Sequence, residues 1–139
     1  MNALEQAKKL LPGHSIVLVK DKDIIISDGR GISPMIKYIE ENKCLENYSC
    51  ADLIVGKAVA MLFVKTKIKE VYGEVMSKNA YEYLVKHNIS CSYKIKVDSI
   101  INRSGTDICP MEKVVLDIDD VDEAYTALIK KIEEIKRKV

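Results

Sequence analysis

Between Ala51 and Val64 only two charges, Asp52 and Lys57, interrupt an otherwise apolar run. A segment of that kind must be enclosed on every side. The stretch from about Cys50 to Lys65 therefore reads as a helix that is apolar nearly all round, buried between a sheet and neighbouring helices. It is shorter than the roughly 20 residues that a membrane span needs, so no membrane association is expected. Burying it calls for layers on both sides, and a chain of 139 residues can supply them as one domain, residues 1–139, without disulfides or metals.

The rest of the chain supplies those layers. Ala3, Leu4, Ala7, Leu10 and Leu11 fall at helical spacing behind Asn2 and Glu5, a capping pair, and Pro12-Gly13 ends that helix. Ser15 to Lys20 and Asp23 to Ser27 are β-branched runs joined by Asp21-Lys22, a buried hairpin. Ser33-Pro34 suits the start of a helix reaching about Asn42. Val71 to Val75 reads as a central strand and Lys78 to His87 as a helix. Ile89 to Val97 alternates Cys91, Tyr93, Ile95 and Val97 against Ser92, Lys94 and Lys96, the pattern of a half-exposed strand near an edge. A short helix follows Cys109, and Val121, Ala124, Tyr125, Leu128, Ile129, Ile132 and Ile135 form one stripe of a long last helix. A hairpin followed by helix-connected strands implies an α/β fold: a mixed sheet with helices on both faces, in three α/β/α layers.

Composition removes several classes of function. A net charge of +1 and the absence of Trp leave neither a basic field nor a stacking platform for nucleic acid. The start, Met1-Asn2-Ala3-Leu4-Glu5, lacks the basic region and apolar stretch of a secretory signal. Cys44, Cys50, Cys91 and Cys109 show no CxxC spacing, so free thiols in a reducing cytoplasm are expected. The two histidines, His14 and His87, lie far apart, and no His/Cys pair has the spacing of a helical ligand pair. No zinc site and no cofactor follow from these residues.

Four places carry candidate chemistry. Gly29-Arg30-Gly31 lacks the third glycine of a dinucleotide fingerprint and reads as a tight turn, although it places Arg30 beside a helix start where an anion would be welcome. Asp52 has capping-box spacing behind Ser49 and would satisfy backbone donors there. Lys57 either snorkels its amine to solvent or faces a pocket, and Gly56 beside it implies close approach of backbone or ligand. Cys109-Pro110-Met111-Glu112 puts a thiol at a helix cap, where the dipole favours thiolate, with Glu112 aimed back at the helix start. The alternative is a structural cysteine before an ordinary helix. Asn102, Arg103, Ser104 and Thr106 give the preceding loop more hydrogen-bonding groups than a connector needs.

Ala51-Asp52-Leu53-Ile54-Val55-Gly56-Lys57-Ala58-Val59-Ala60, together with Asn102-Arg103, Gly105 and Cys109-Pro110-Met111-Glu112, resembles the domain-of-unknown-function 1893 family. Gly29-Arg30-Gly31-Ile32 is a weaker match. The resemblance implies a cytidine-deaminase-like fold with no established activity, and a homo-oligomer, since such folds commonly associate. A working zinc deaminase carries His or Cys, a small residue and Glu at one helix start and Pro-Cys-x-x-Cys at the next. Cys50-Ala51-Asp52 resembles a degenerate first motif, whereas Met76-Ser77-Lys78-Asn79-Ala80 stands where the second should be. Zinc-dependent deamination should therefore be lost. The resemblance implies instead a pocket reused around Asp52, Lys57, Arg103 and Cys109, accepting a small polar, nucleotide-like metabolite. A Cys109-dependent enzyme, with Asp52 or Lys57 in support, is the alternative, and a divergent metal-dependent deaminase a third.

Overall fold

The computed structural model describes residues 1–137. Its elements run α1 (Ala3–Leu10), β1 (Ile16–Lys20), β2 (Asp23–Ser27), α2 (Ser33–Glu40), β3 (Ser49–Val55), α3 (Lys57–Lys65), β4 (Glu70–Ser77), α4 (Lys78–Lys86), β5 (Ser90–Val97), α5 (Pro110–Val115) and α6 (Val121–Arg137). Five strands form one mixed sheet in the order β2-β1-β3-β4-β5. The hairpin β1-β2 is antiparallel, β1 is antiparallel to β3, and β3, β4 and β5 run parallel. Helices flank the sheet in a three-layer α/β/α arrangement. On one face α1 buries Ala7 and Leu11 against Val17, Val19 and Ala51. The larger core, with Phe63, Leu18, Met35, Leu62 and Leu128, fills the other side.

One expectation is corrected. The apolar run is not a single helix from Cys50 to Lys65: its first half is strand β3 and only Lys57–Lys65 is helical. Ser49–Val55 is the central strand, hydrogen-bonded to β1 on one side and β4 on the other. Because helices cover both of its faces it has no polar alternation, and a short apolar run then looks the same whether strand or helix. Gly56 marks the break, and the β-branched Ile54-Val55 ahead of it was the available sign of a strand. Two consequences follow for the candidate residues. Asp52 lies inside a strand and caps no helix, and Lys57 opens α3 instead of interrupting a longer helix.

The other elements sit where the residue pattern puts them, with bounds differing by one to three residues, but the hairpin expected to be buried is so only in β1: β2 is an edge strand with Ile24 and Ile26 exposed. β5 is an edge strand exposed over most of its length, with Ile95 and the two lysines Lys94 and Lys96 in solvent. Lysines on an open edge discourage pairing with another chain. Among the described residues no helix is long and apolar enough to cross a membrane.

Candidate functional site

The carboxyl end of β3 opens into a cavity of about 1010 Å³, bounded by the loop ahead of α2, by α5 with the loop before it, and by the last turns of α6. It lies where the parallel part of the sheet meets the antiparallel part, the crevice that open α/β sheets commonly use for ligands. Its walls are mostly apolar, with Ile54, Val59, Ile101, Met111, Ile132 and Ile135 among them.

Asp52 lines this cavity and is only 7% exposed. Its strand neighbours are Ile16 on β1 and Gly73 on β4, neither of which offers a polar side chain. The one hydrogen bond it accepts is a long one, 3.3 Å from the Ile54 N–H. Burial raises its carboxyl to about 8, and the backbone N–H groups of Ile54 and Leu53 offset this only in part. Asp52 therefore keeps its proton at neutral pH and presents an acid group to the cavity.

Glu112 also lines the cavity, but its carboxylate is engaged. Both oxygens accept backbone N–H groups at the start of α3, from Lys57 at 2.7 Å and from Ala58 at 3.1 Å. The carboxylate thereby occupies the positive end of α3. Burial raises the Glu112 carboxyl, with those two amides and the Lys57 charge opposing the shift. The contact is tight enough to dictate Gly56: a Cβ there would lie 2.5 Å from Glu112 Cδ and Oε1. The close approach expected at Gly56 is thus made by Glu112, which reaches across to α3 and not back to its own helix.

Lys57 is the expected pocket residue that lies elsewhere. Its Nζ donates to the carbonyl oxygens of Val115 at 2.8 Å and Leu116 at 3.3 Å, at the carboxyl end of α5, and sits 5.9 Å from the Tyr83 ring centre. It neither snorkels freely nor faces the cavity. Lys57 and Glu112 instead cap each other's helices.

In the loop before α5, Asn102 Oδ1 accepts the Thr106 N–H at 3.0 Å and the Ser104 hydroxyl at 3.1 Å. This ties the tip together around Gly105, whose φ of 72° suits glycine. Asn102, Arg103 and Ser104 line the cavity; Thr106 is spent on the turn and does not. Cys109 caps α5 as expected and lines the cavity with a partly buried thiol, the only one of the four cysteines to do so. Arg30 is exposed and lines the cavity together with its neighbours Gly31, Ile32 and Ser33. The residue pattern missed Ser15, Lys136 and the isoleucine walls, which become a surface only once α6 crosses the mouth.

Among the described residues no group of three His, Cys, Asp or Glu side chains converges so as to hold a metal ion. The helix starts beyond β3 and β4 carry Gly56-Lys57-Ala58 and Ser77-Lys78-Asn79, with neither thiol nor imidazole. His14 pairs with Asp28, and His87 packs on the Tyr83 ring. Cys50-Ala51-Asp52 lies inside strand β3 and not at a helix start.

The fold and cavity define a small three-layer α/β protein with a largely apolar pocket at the end of its central strand. The chain matches the family described as TM1506, domain of unknown function (DUF1893), over residues 6–132, and belongs to that family. The crystal structure of a DUF1893 family protein (TM1506) from Thermotoga maritima is similar, with a TM-score of 0.86 and 29% identity over 94% of this chain and 90% of that one. No curated protein matches.

Two outcomes test this geometry. Gly56→Ala should destabilise the fold by about 1–3 kcal/mol in denaturant unfolding, as overpacking does. In a Glu112→Ala background the same change should be nearly neutral, a coupling of at least about 1 kcal/mol; additive effects would show that the two residues do not touch. The second concerns pH. Because folding raises the Asp52 carboxyl, its favourable contribution is full below the unfolded value near 4 and falls as pH rises to about 8. Asp52→Asn should therefore stabilise the protein progressively between pH 4 and pH 8, by at most about 1.4 kcal/mol per pH unit. A stability difference independent of pH would mean that Asp52 is solvated.

Proposed function

We propose that this protein binds a small polar, nucleotide-like metabolite in the cavity at the end of β3, on a deaminase-like topology that has dispensed with zinc. The observation that carries this reading is Asp52: an acid group more than nine-tenths buried, facing a cavity, with one long hydrogen bond to its own strand. Burying such a group without a partner is destabilising, and its natural partner is a ligand. The cavity supports the same reading, since apolar walls with a few polar groups are the common form of a small-molecule site. The strand order, with helices joining the parallel strands, is consistent with the topology that the resemblance implies.

A second reading, a Cys109-dependent enzyme, is favoured by the presence of that thiol in the same cavity. Asp52 would then be its polar neighbour in the site, and Lys57, held at the end of α5, would position the helix that Cys109 begins.

Thermal unfolding in the presence of nucleoside monophosphates tests the binding reading. A member of the set should raise the midpoint of the wild type, since a ligand at a hundredfold excess over its Kd contributes about 2.7 kcal/mol. Ile54→Trp, which fills the mouth from a half-exposed position, should abolish the rise, and Cys109→Ser should keep it. Absence of any shift across the set, or a shift untouched by Ile54→Trp, would overturn the proposal. For the enzyme reading, Cys109 must react with iodoacetamide faster than the exposed Cys44; equal rates would remove it.

A further inference from the structure

Charge is distributed unevenly between the mouth of the cavity and its floor. Arg30, Arg103 and Lys136 all line the cavity and are all exposed, which puts them at the mouth. None takes part in an ion pair among the described residues, whose pairs use His14, Lys65, Lys86, Lys113 and Lys131. The start of α2 borders the same cavity through Ile32 and Ser33, and Ile32 brings no side-chain acceptor to its first amides. Two acids face this field. Glu112 is held by the amides of α3, and Asp52 lies on the floor, where none of the ion pairs among the described residues supplies it with a cation.

Resting on the binding reading, we propose that the ligand is an amphipathic organic oxyanion, its apolar body against the isoleucine walls and its phosphate or carboxylate held at the mouth by Arg30 and Arg103. Arginine suits this work, because its planar fork meets two oxygens of either group. The two arginines reach the cavity from different segments, Arg30 from the loop before α2 and Arg103 from the loop before α5. An oxyanion between them would bridge elements that the cavity otherwise separates. The inverse orientation, with the anion inward, meets the Asp52 carboxyl and no cation.

The test uses anilinonaphthalene sulfonate as a fluorescent probe of the full-length native protein, with cooperative thermal unfolding confirming that the fold is intact. Naphthyl phosphate, naphthoate and naphthol, which share one apolar body, then compete for the site at neutral pH. One or both anions should displace the dye at concentrations at least about tenfold lower than naphthol, as charge-assisted bonds to two arginines warrant. The double variant Arg30→Gln/Arg103→Gln, altered at exposed loop positions, should erase that gap and leave naphthol unchanged. The stronger of phosphate and carboxylate identifies the head group. Equal displacement by all three, or a gap that survives in the double variant, overturns the oxyanion proposal while leaving a ligand site in place. No saturable dye binding by the native wild type overturns the binding reading, and this proposal with it.

Discussion

The Glu112 carboxylate on the first amides of α3 is the contact around which the site is assembled. It joins residues 55 positions apart and fixes α5, a helix of six residues too short to hold its shape without tertiary support. Lys57 completes the tie from the other side by donating to the last carbonyls of α5. With the two helices capping each other, Cys109 and Met111 are held against the cavity and Gly56 is left no room for a side chain. The same contact decides what α3 cannot do. Its positive end, the usual seat for an external anion, is already filled by the chain's own carboxylate.

Asp52 stands against this economy. Glu112 is half-buried and fully engaged, whereas Asp52 is buried and nearly unpartnered, between an isoleucine and a glycine on the adjacent strands. An asparagine or a small apolar residue would suit β3 better on stability alone. Positions that break local rules without a structural return are where functional constraints concentrate.

The layered α/β architecture was readable from the residues because most elements carry a clear period: the stripe of α6, the alternation of β5, the two-residue turn of the hairpin. The central strand was not, since burial on both faces erases the alternation that marks a strand. That single misreading placed Asp52 on a helix and Lys57 in a pocket. The loop Asn102–Asp107 and the cap at Cys109 were found correctly, because turn residues and a proline at a helix start act locally. The reach of Glu112 to α3 was not legible. A side chain bound 55 residues away leaves no trace in spacing, and only the glycine that yields to it, Gly56, gave a hint. The isoleucine walls were missed for the same reason, since Ile54 and Ile135 share a surface only after the chain has folded.

The account turns on whether Asp52 is a desolvated acid at the floor of a ligand cavity. Carbon-13 NMR of the Asp52 side-chain carboxyl, followed through a pH titration of the native protein, reads this directly. The structure predicts a midpoint near 8, far above the value of about 4 for a free aspartate. A midpoint near 4 would contradict it, showing a solvated carboxylate and removing the observation on which the binding site rests.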